Sequence, residues 1–443
     1  MYISSRSRLT TSALRPPRPL IFYRAQHRTI SHFRVIEHTI RCQHIRDRIG
    51  ATESGQSTSL RLAVKQYIPK TNPQPRPGDV TIIGGHANGF PKELYEPLWD
   101  DLYAGLGRLG RRIRAIWVAD VAHQGQSGVL NERVLGTDPS WFDHARDLLH
   151  LINLHQDEMP HPIIGIGHSM GGMQLAHLAL IHPSLLTSLI LIDPVIQTEN
   201  PSKAYAPPST FRRDIWPSRR LAIEAFSKNK VFQKWDPRVL DKFTEYGLRD
   251  LPTELYPDVP DGAEDCPVTL TTTKAQEVFT FLRPTYVDGK VGLEEGAWKN
   301  EMHPDDIDET YPFYRPEPPQ IFRRLSELQP SVLYVFGETS ELSSFDARRA
   351  KMNTSGTGVE GSGGVAKNRV KQVVLPAGHL VPMETVAECA GAAASFLDAE
   401  LRRWEDEQSR YLAKLGMTTR AERISIDDKW RANIGGPVKK SKI

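Results

Sequence analysis

Residues 162–183 run through a short apolar stretch, a serine framed by glycines, and a second apolar stretch stopped by Pro183. The first stretch, 162–166, is too short for a buried helix and reads as a buried strand. The second, 170–181, has helical length and a proline stop. At the junction stands Gly167-His168-Ser169-Met170-Gly171. So sharp a strand-to-helix turn forces strained backbone angles on Ser169. The flanking residues have to be glycine, because a side chain there collides with the neighbouring strand or helix.

That turn requires a parallel sheet around it, and the chain supplies one. Strand patterns fall at 60–68, 80–83, 113–118, 189–192, 331–336 and 369–375, alternating with helical patterns at 91–106, 141–154 and 383–412. This rhythm predicts an α/β fold with a mostly parallel, eight-stranded sheet and helices on both faces. Residues 195–325 break it: they are rich in Pro, Arg, Asp and aromatics, with helix-like pieces at 221–229, 237–247 and 274–282. They read as an inserted helical cap. The expected organisation is an Arg-rich extension (1–32), a first core part (33–194), the cap (195–325), a second core part (326–412) and a tail (413–443). The glycine- and serine-rich stretch 354–366 is expected to be a flexible loop.

Composition removes several function classes. A net charge of +3 over 443 residues gives no concentrated basic face for nucleic acid. No stretch approaches the ~18 consecutive apolar residues of a membrane-spanning helix. Cys42, Cys266 and Cys389 are odd in number and far apart, which points to neither a disulfide framework nor a zinc site. No metal or organic cofactor is implied.

Serine alone is a weak nucleophile and needs a base. In folds with this turn the catalytic order along the chain is serine, acid, histidine, with the histidine after the last strand. His379 stands there, in Val373-Val374-Leu375-Pro376-Ala377-Gly378-His379. Two carboxylates remain open for the acid. The usual place, three residues past the glycine that ends the preceding strand, holds Ser340. Glu341 lies one residue beyond it, and Asp193 ends the strand after the elbow helix, 24 residues past Ser169. Asp193 is taken as the acid, with Glu341 as the alternative. The oxyanion hole is expected to use the Met170 N–H and a group from the loop after Ile83, either the Ala87 or the Asn88 amide or the Asn88 side chain. His86 reads as a brace for that loop.

Residues 86–89, 120–128, 167–172, 191–194 and 378–379 are spaced as in α/β-hydrolases, and the resemblance covers about residues 60–400. The string from His86 to Trp99 and the terminal Ser441-Lys442-Ile443 are similar to a narrower group. That group is the fungal peroxisomal α/β-hydrolases of host-selective toxin biosynthesis, related to a yeast peroxisomal lipase. The resemblance implies hydrolysis of an ester or thioester of a fatty-acid-derived substrate, such as an epoxy-decatrienoic acid precursor. Acyl transfer by the same residues is the alternative, and a non-catalytic binding protein on the same fold is a further one. Epoxide and haloalkane hydrolysis use an aspartate nucleophile, against which Ser169 argues. Apolar cap residues Trp216, Phe226, Trp235, Phe279 and Phe281 suit an acyl chain, but aromatics in helices are more often core.

The two ends carry competing addresses. Ser441-Lys442-Ile443 has the small, basic, branched-aliphatic form that a peroxisomal import receptor reads with the free carboxylate. The first 36 residues hold seven arginines and no acidic residue, the composition of an organellar transit peptide or of a disordered extension. Peroxisome is the expected location, with mitochondrion or cytosol as alternatives.

Overall fold

In a computed structural model the described residues are 32–199, 203–258, 265–286 and 296–436. Residues 1–31 and the Ser441-Lys442-Ile443 end lie outside them. The main sheet is built from β1 (Phe33–Arg41), β2 (Arg61–Pro69), β3 (Val80–Gly85), β4 (Ile113–Ala119), β5 (Ile163–His168), β6 (Ser188–Ile192), β7 (Ser331–Gly337) and β8 (Val370–Leu375), in the spatial order β1-β2-β4-β3-β5-β6-β7-β8. Only β2 runs against the others.

The central strands β3, β5, β6 and β7 are buried at every position because both faces are covered. Alternate residues enter different cores. Ile82, Ile164, Ile166, Ile190 and Ile192 pack with the helices Glu96–Arg108 and Val386–Gly416 on one side. Ile83, Ile163, Leu189 and Leu191 pack with Phe142–Leu154 and Met170–Ile181 on the other. Each aliphatic side chain so buried stabilises the fold by roughly 1.5–3 kcal/mol relative to exposure. β1 lies at the sheet edge, which is why its sequence escaped recognition as a strand: only Ile36, His38 and Ile40 alternate as half-buried positions among exposed ones.

Parallel strands that share an end bring distant loops together. His168 of β5 sits opposite Ile192 of β6, and Val335 of β7 sits opposite the same Ile192. Gly337 of β7 pairs with Leu375 of β8. The segments that follow β5, β6, β7 and β8 therefore leave the sheet side by side at its C-terminal edge, where ligands bind in open α/β sheets.

Residues 203–325 contribute the helices Ala206–Phe211, Arg219–Ser227, Pro237–Tyr246, Lys274–Phe281 and Glu317–Arg324. Three of them start on side-chain caps: Ser218, Asp236 and Thr273 accept hydrogen bonds from Leu221 N, Arg238 N and Gln276 N. The same region adds a small sheet of Ile215–Trp216, Val268–Leu270 and Leu248–Asp250, which the helical reading did not foresee. Trp216, Phe226, Trp235 and Phe243 pack together with centroids 5.3–5.7 Å apart, so Trp216, Phe226 and Trp235 are core residues.

The loop 354–366 departs from the expectation of flexibility. Gly356 N, Gly358 N and Ser362 N donate to the carbonyls of Leu325, Ser326 and Leu328, and Gly363 N to that of Gly356. Gly356 and Gly363 take positive φ values of 69° and 89°, and this lets the backbone turn back onto 325–328 and pair.

Candidate active site

Ser169 occupies φ 56°, ψ −118° between β5 and the helix Met170–Ile181. Its backbone is held in that strained region by bonds at both ends: Ser169 N donates to Ile192 O, and Val195 N donates to Ser169 O. A Cβ on Gly167 would lie 2.6 Å from the Gly171 carbonyl oxygen, and one on Gly171 would overlap the Gly85 carbonyl group. Any residue larger than glycine pushes the helix off the sheet.

His379 lies on the loop after β8. The loop is fixed by Gly378 N donating to the Glu384 carboxylate at 3.0 Å. His379 Nε2 is 2.8 Å from Ser169 Oγ, and His379 Nδ1 is 2.7 Å from Asp193 Oδ2. These three side chains, from segments up to 210 residues apart, form one hydrogen-bonded chain.

Asp193 is fully buried and adopts φ 40°, with its N–H bonded to Val335 O. Besides His379, its carboxylate accepts from Ser340 Oγ at 2.5 Å, from Ser343 Oγ, and from Gly337 N at 3.2 Å. Burial pushes this carboxyl up, but the hydrogen bonds and attraction from His379, with those from the two serines, outweigh burial and hold it below the usual range. Glu341 is exposed and makes no hydrogen bond to His379 among the described residues. Ser340 thus stands at the usual position for an acid and instead donates to Asp193 at the end of the preceding sheet strand, β6. Sequence reasoning did not find Ser340 and Ser343 as partners of Asp193; two serines three apart after Gly337 were the available signal.

Met170 N and Asn88 N make no hydrogen bond among the described residues; Met170 follows Ser169 directly, and Asn88 lies on the loop after β3, the strand that pairs with β5. The Ala87 amide differs from expectation: it donates to Tyr95 Oη at 2.8 Å. The Asn88 side chain is also committed, its Nδ2 donating to Glu277 O and its Oδ1 accepting from Gln124 Nε2. Both were candidates because sequence cannot reveal what the loop's neighbours claim; the backbone N–H of Asn88 is what remains. His86 braces the loop: its Nε2 accepts from Val121 N and its Nδ1 donates to Ala87 O. Burial pushes its pKa down, consistent with a neutral ring. Tyr205 lies 5.9 Å from His379 and 6.2 Å from Phe281, ring centroid to centroid, and gives the site an aromatic wall.

The sequence pattern of the alpha/beta hydrolase family matches residues 83–393, which contain all of these groups. The chain belongs to the α/β-hydrolase family. It is 42% identical over 399 residues to the type I acyl-CoA thioesterase mpaH of Penicillium brevicompactum, covering 86% of this chain and 90% of that protein. It is 28% identical over 247 residues to the abhydrolase domain-containing protein AFT2-1 of Alternaria alternata, covering 55% of this chain and 85% of that one. Among solved structures, the peroxisomal alpha-beta-hydrolase Lpx1 of Saccharomyces cerevisiae superposes with a TM-score of 0.61 at 17% identity, over 88% of this hydrolase and 99% of that chain. That last likeness concerns the fold. No helix among the described residues is long and apolar enough to cross a membrane.

Proposed function

We propose that this hydrolase cleaves acyl thioesters, acyl-CoA in the first instance, through a serine-bound acyl intermediate. The observation that carries the reading is the continuous hydrogen-bonded chain Ser169–His379–Asp193. In this reading Ser169 Oγ attacks the acyl carbonyl carbon while His379 Nε2 takes the hydroxyl proton. Asp193 keeps the other ring proton on Nδ1 and stabilises the imidazolium. The Met170 and Asn88 N–H groups receive the negative charge that develops on the carbonyl oxygen, helped by the positive end of the helix Met170–Ile181. The C–S bond breaks and His379 returns the proton to the departing sulfur. A water then loses a proton to His379 and attacks the acyl carbon; the Ser169 Oγ–carbon bond breaks, His379 returns the proton to Ser169 Oγ, and the free acid leaves.

Thioesters are preferred over oxygen esters because the relatives at about 42% identity are named acyl-CoA thioesterases. The Tyr205 and Phe281 faces beside His379 suit an apolar, fatty-acid-derived acyl group. A peroxisomal location is part of the proposal and rests on Ser441-Lys442-Ile443. The test is thiol release by the purified chain from a series of acyl-CoA thioesters of increasing length, beside the matching p-nitrophenyl esters. The expected result is a kcat/KM at least tenfold higher on the thioester of the best chain length. Cleavage of the esters with no thiol release from any acyl-CoA overturns the thioester reading.

A further inference from the structure

The mechanism above leaves one buried polar pair unused. His168, one of the two variable residues of the glycine-framed turn, is fully buried, and Tyr95 is nearly so. Their hydrogen bonds form a line. Ala87 N is 2.8 Å from Tyr95 Oη, Tyr95 Oη is 2.9 Å from His168 Nδ1, and His168 Nε2 is 2.9 Å from the His379 carbonyl oxygen.

The chemistry fixes every proton on this line. The His379 carbonyl only accepts, so His168 Nε2 carries a hydrogen. The Ala87 amide only donates, so the Tyr95 oxygen accepts from it and turns its own hydrogen toward His168. A neutral His168 ring then accepts at Nδ1 and donates at Nε2. Burial, followed by the neighbouring His379, pushes the His168 pKa down to about 3, so the arrangement persists at any working pH.

The two ends of the line are not arbitrary. Ala87 precedes Asn88, whose N–H is one of the two donors assigned to the oxyanion. His379 is the base itself, held here by its backbone. A buried histidine satisfied on both nitrogens would ordinarily be a structural residue. This one spans the sheet edge beneath Ser169 and ties the donor loop after β3 to the base loop after β8. No hydrogen bond joins those two loops directly among the described residues.

We propose that Tyr95 and His168 are positioning residues, forming a relay that sets the distance between the oxyanion donor at Asn88 and the base His379. The inference rests on the serine-hydrolase reading. Misplacing either group by about an ångström should cost on the order of 10 to 100-fold in turnover, with substrate binding spared.

The test uses the full chain and three variants. Tyr95→Phe keeps the ring and removes both bonds of the hydroxyl. His168→Asn keeps an acceptor near Tyr95 but is too short to reach the His379 carbonyl. The third is the double variant. Active sites are titrated to completion with a fluorophosphonate probe, so kcat refers to folded, reactive enzyme and loss of folded protein does not count. The relay predicts a 10 to 100-fold lower kcat per titrated site for each single variant, with KM within about twofold of wild type. It predicts that the double variant is no worse than the poorer single one, since both cut the same line. Single variants with wild-type kcat per site overturn the relay, and so does a double variant whose loss is the product of the two. An unlabelled wild type overturns the underlying reading, and the relay with it.

Discussion

Replacing Asp193 with asparagine tests the acid at the level of single protons. Gly337 N–H points at Oδ1 and can only donate, so the asparagine oxygen has to stay at that position. The new NH₂ group then takes the Oδ2 position, facing His379 Nδ1 and Ser340 Oγ. Ser340 can turn its hydroxyl and accept. His379 can accept only by moving its own proton to Nε2, and Nε2 then donates to Ser169 Oγ instead of taking its proton. The fold stays intact while the base is held in the wrong tautomer. Such an inversion, with the loss of a buried counter-charge, lowers kcat on the order of 10⁴-fold, about 5 kcal/mol. The assay is steady-state thiol release from the best acyl-CoA by Asp193→Asn, Glu341→Gln and wild type, with circular dichroism to verify folding. Glu341→Gln should stay within a few-fold of wild type. A folded Asp193→Asn enzyme within tenfold of wild type, or a larger loss in Glu341→Gln, would refute the assignment of the acid.

The same carboxylate shapes acid stability. It titrates lower in the folded chain than in the unfolded one, so its contribution is full above the ordinary carboxylate range and is lost as pH falls through the folded value. The stability gap between wild type and Asp193→Asn in urea titrations should narrow below about pH 4, and a gap that widens there contradicts the sign. Lys351 makes the opposite case: it is fully buried, its Nζ has no hydrogen-bond partner among the described residues, and burial pushes its pKa down to about 8, partly offset by Asp193. The unfolded chain binds that proton more tightly, so Lys351→Met should raise Tm at pH 7 by the equivalent of about 3 kcal/mol, an advantage that fades toward pH 10; a lowered Tm at pH 7 would show that the ammonium is stabilised. For location, an N-terminal fluorescent fusion should enter peroxisomes and be released by deletion of Ser441-Lys442-Ile443. Mitochondrial import of a reporter carrying residues 1–30, with no effect of that deletion on the untagged chain, would reverse the assignment.

Legibility in the sequence followed burial. The central strands announced themselves because residues such as Ile82 and Ile83 face two different cores, leaving an unbroken apolar run. β1 did not, since one of its faces meets water and its charges Arg34, Glu37 and Arg41 masked the alternation. The glycine-framed turn located Ser169 because close approach at Gly167 and Gly171 leaves a mark in the residue types themselves. What depends on who claims a hydrogen bond was invisible. Ala87 looked equal to Asn88 until Tyr95 was seen to occupy its amide, and nothing local linked Ser340 to Asp193, 147 residues away. The glycines of 354–366 were read as freedom, whereas in the structure they allow the tight turns that let the loop's amides pair.

Covalent acylation of Ser169 is tested by reaction with a fluorophosphonate probe followed by intact-protein and peptide mass spectrometry. The expected result is one adduct per chain, located on Ser169 and absent in folded Ser169→Ala, whose thioester cleavage falls on the order of 10⁶-fold. An adduct on another serine, or thioester cleavage near the wild-type rate in a purified, folded Ser169→Ala protein, would contradict it.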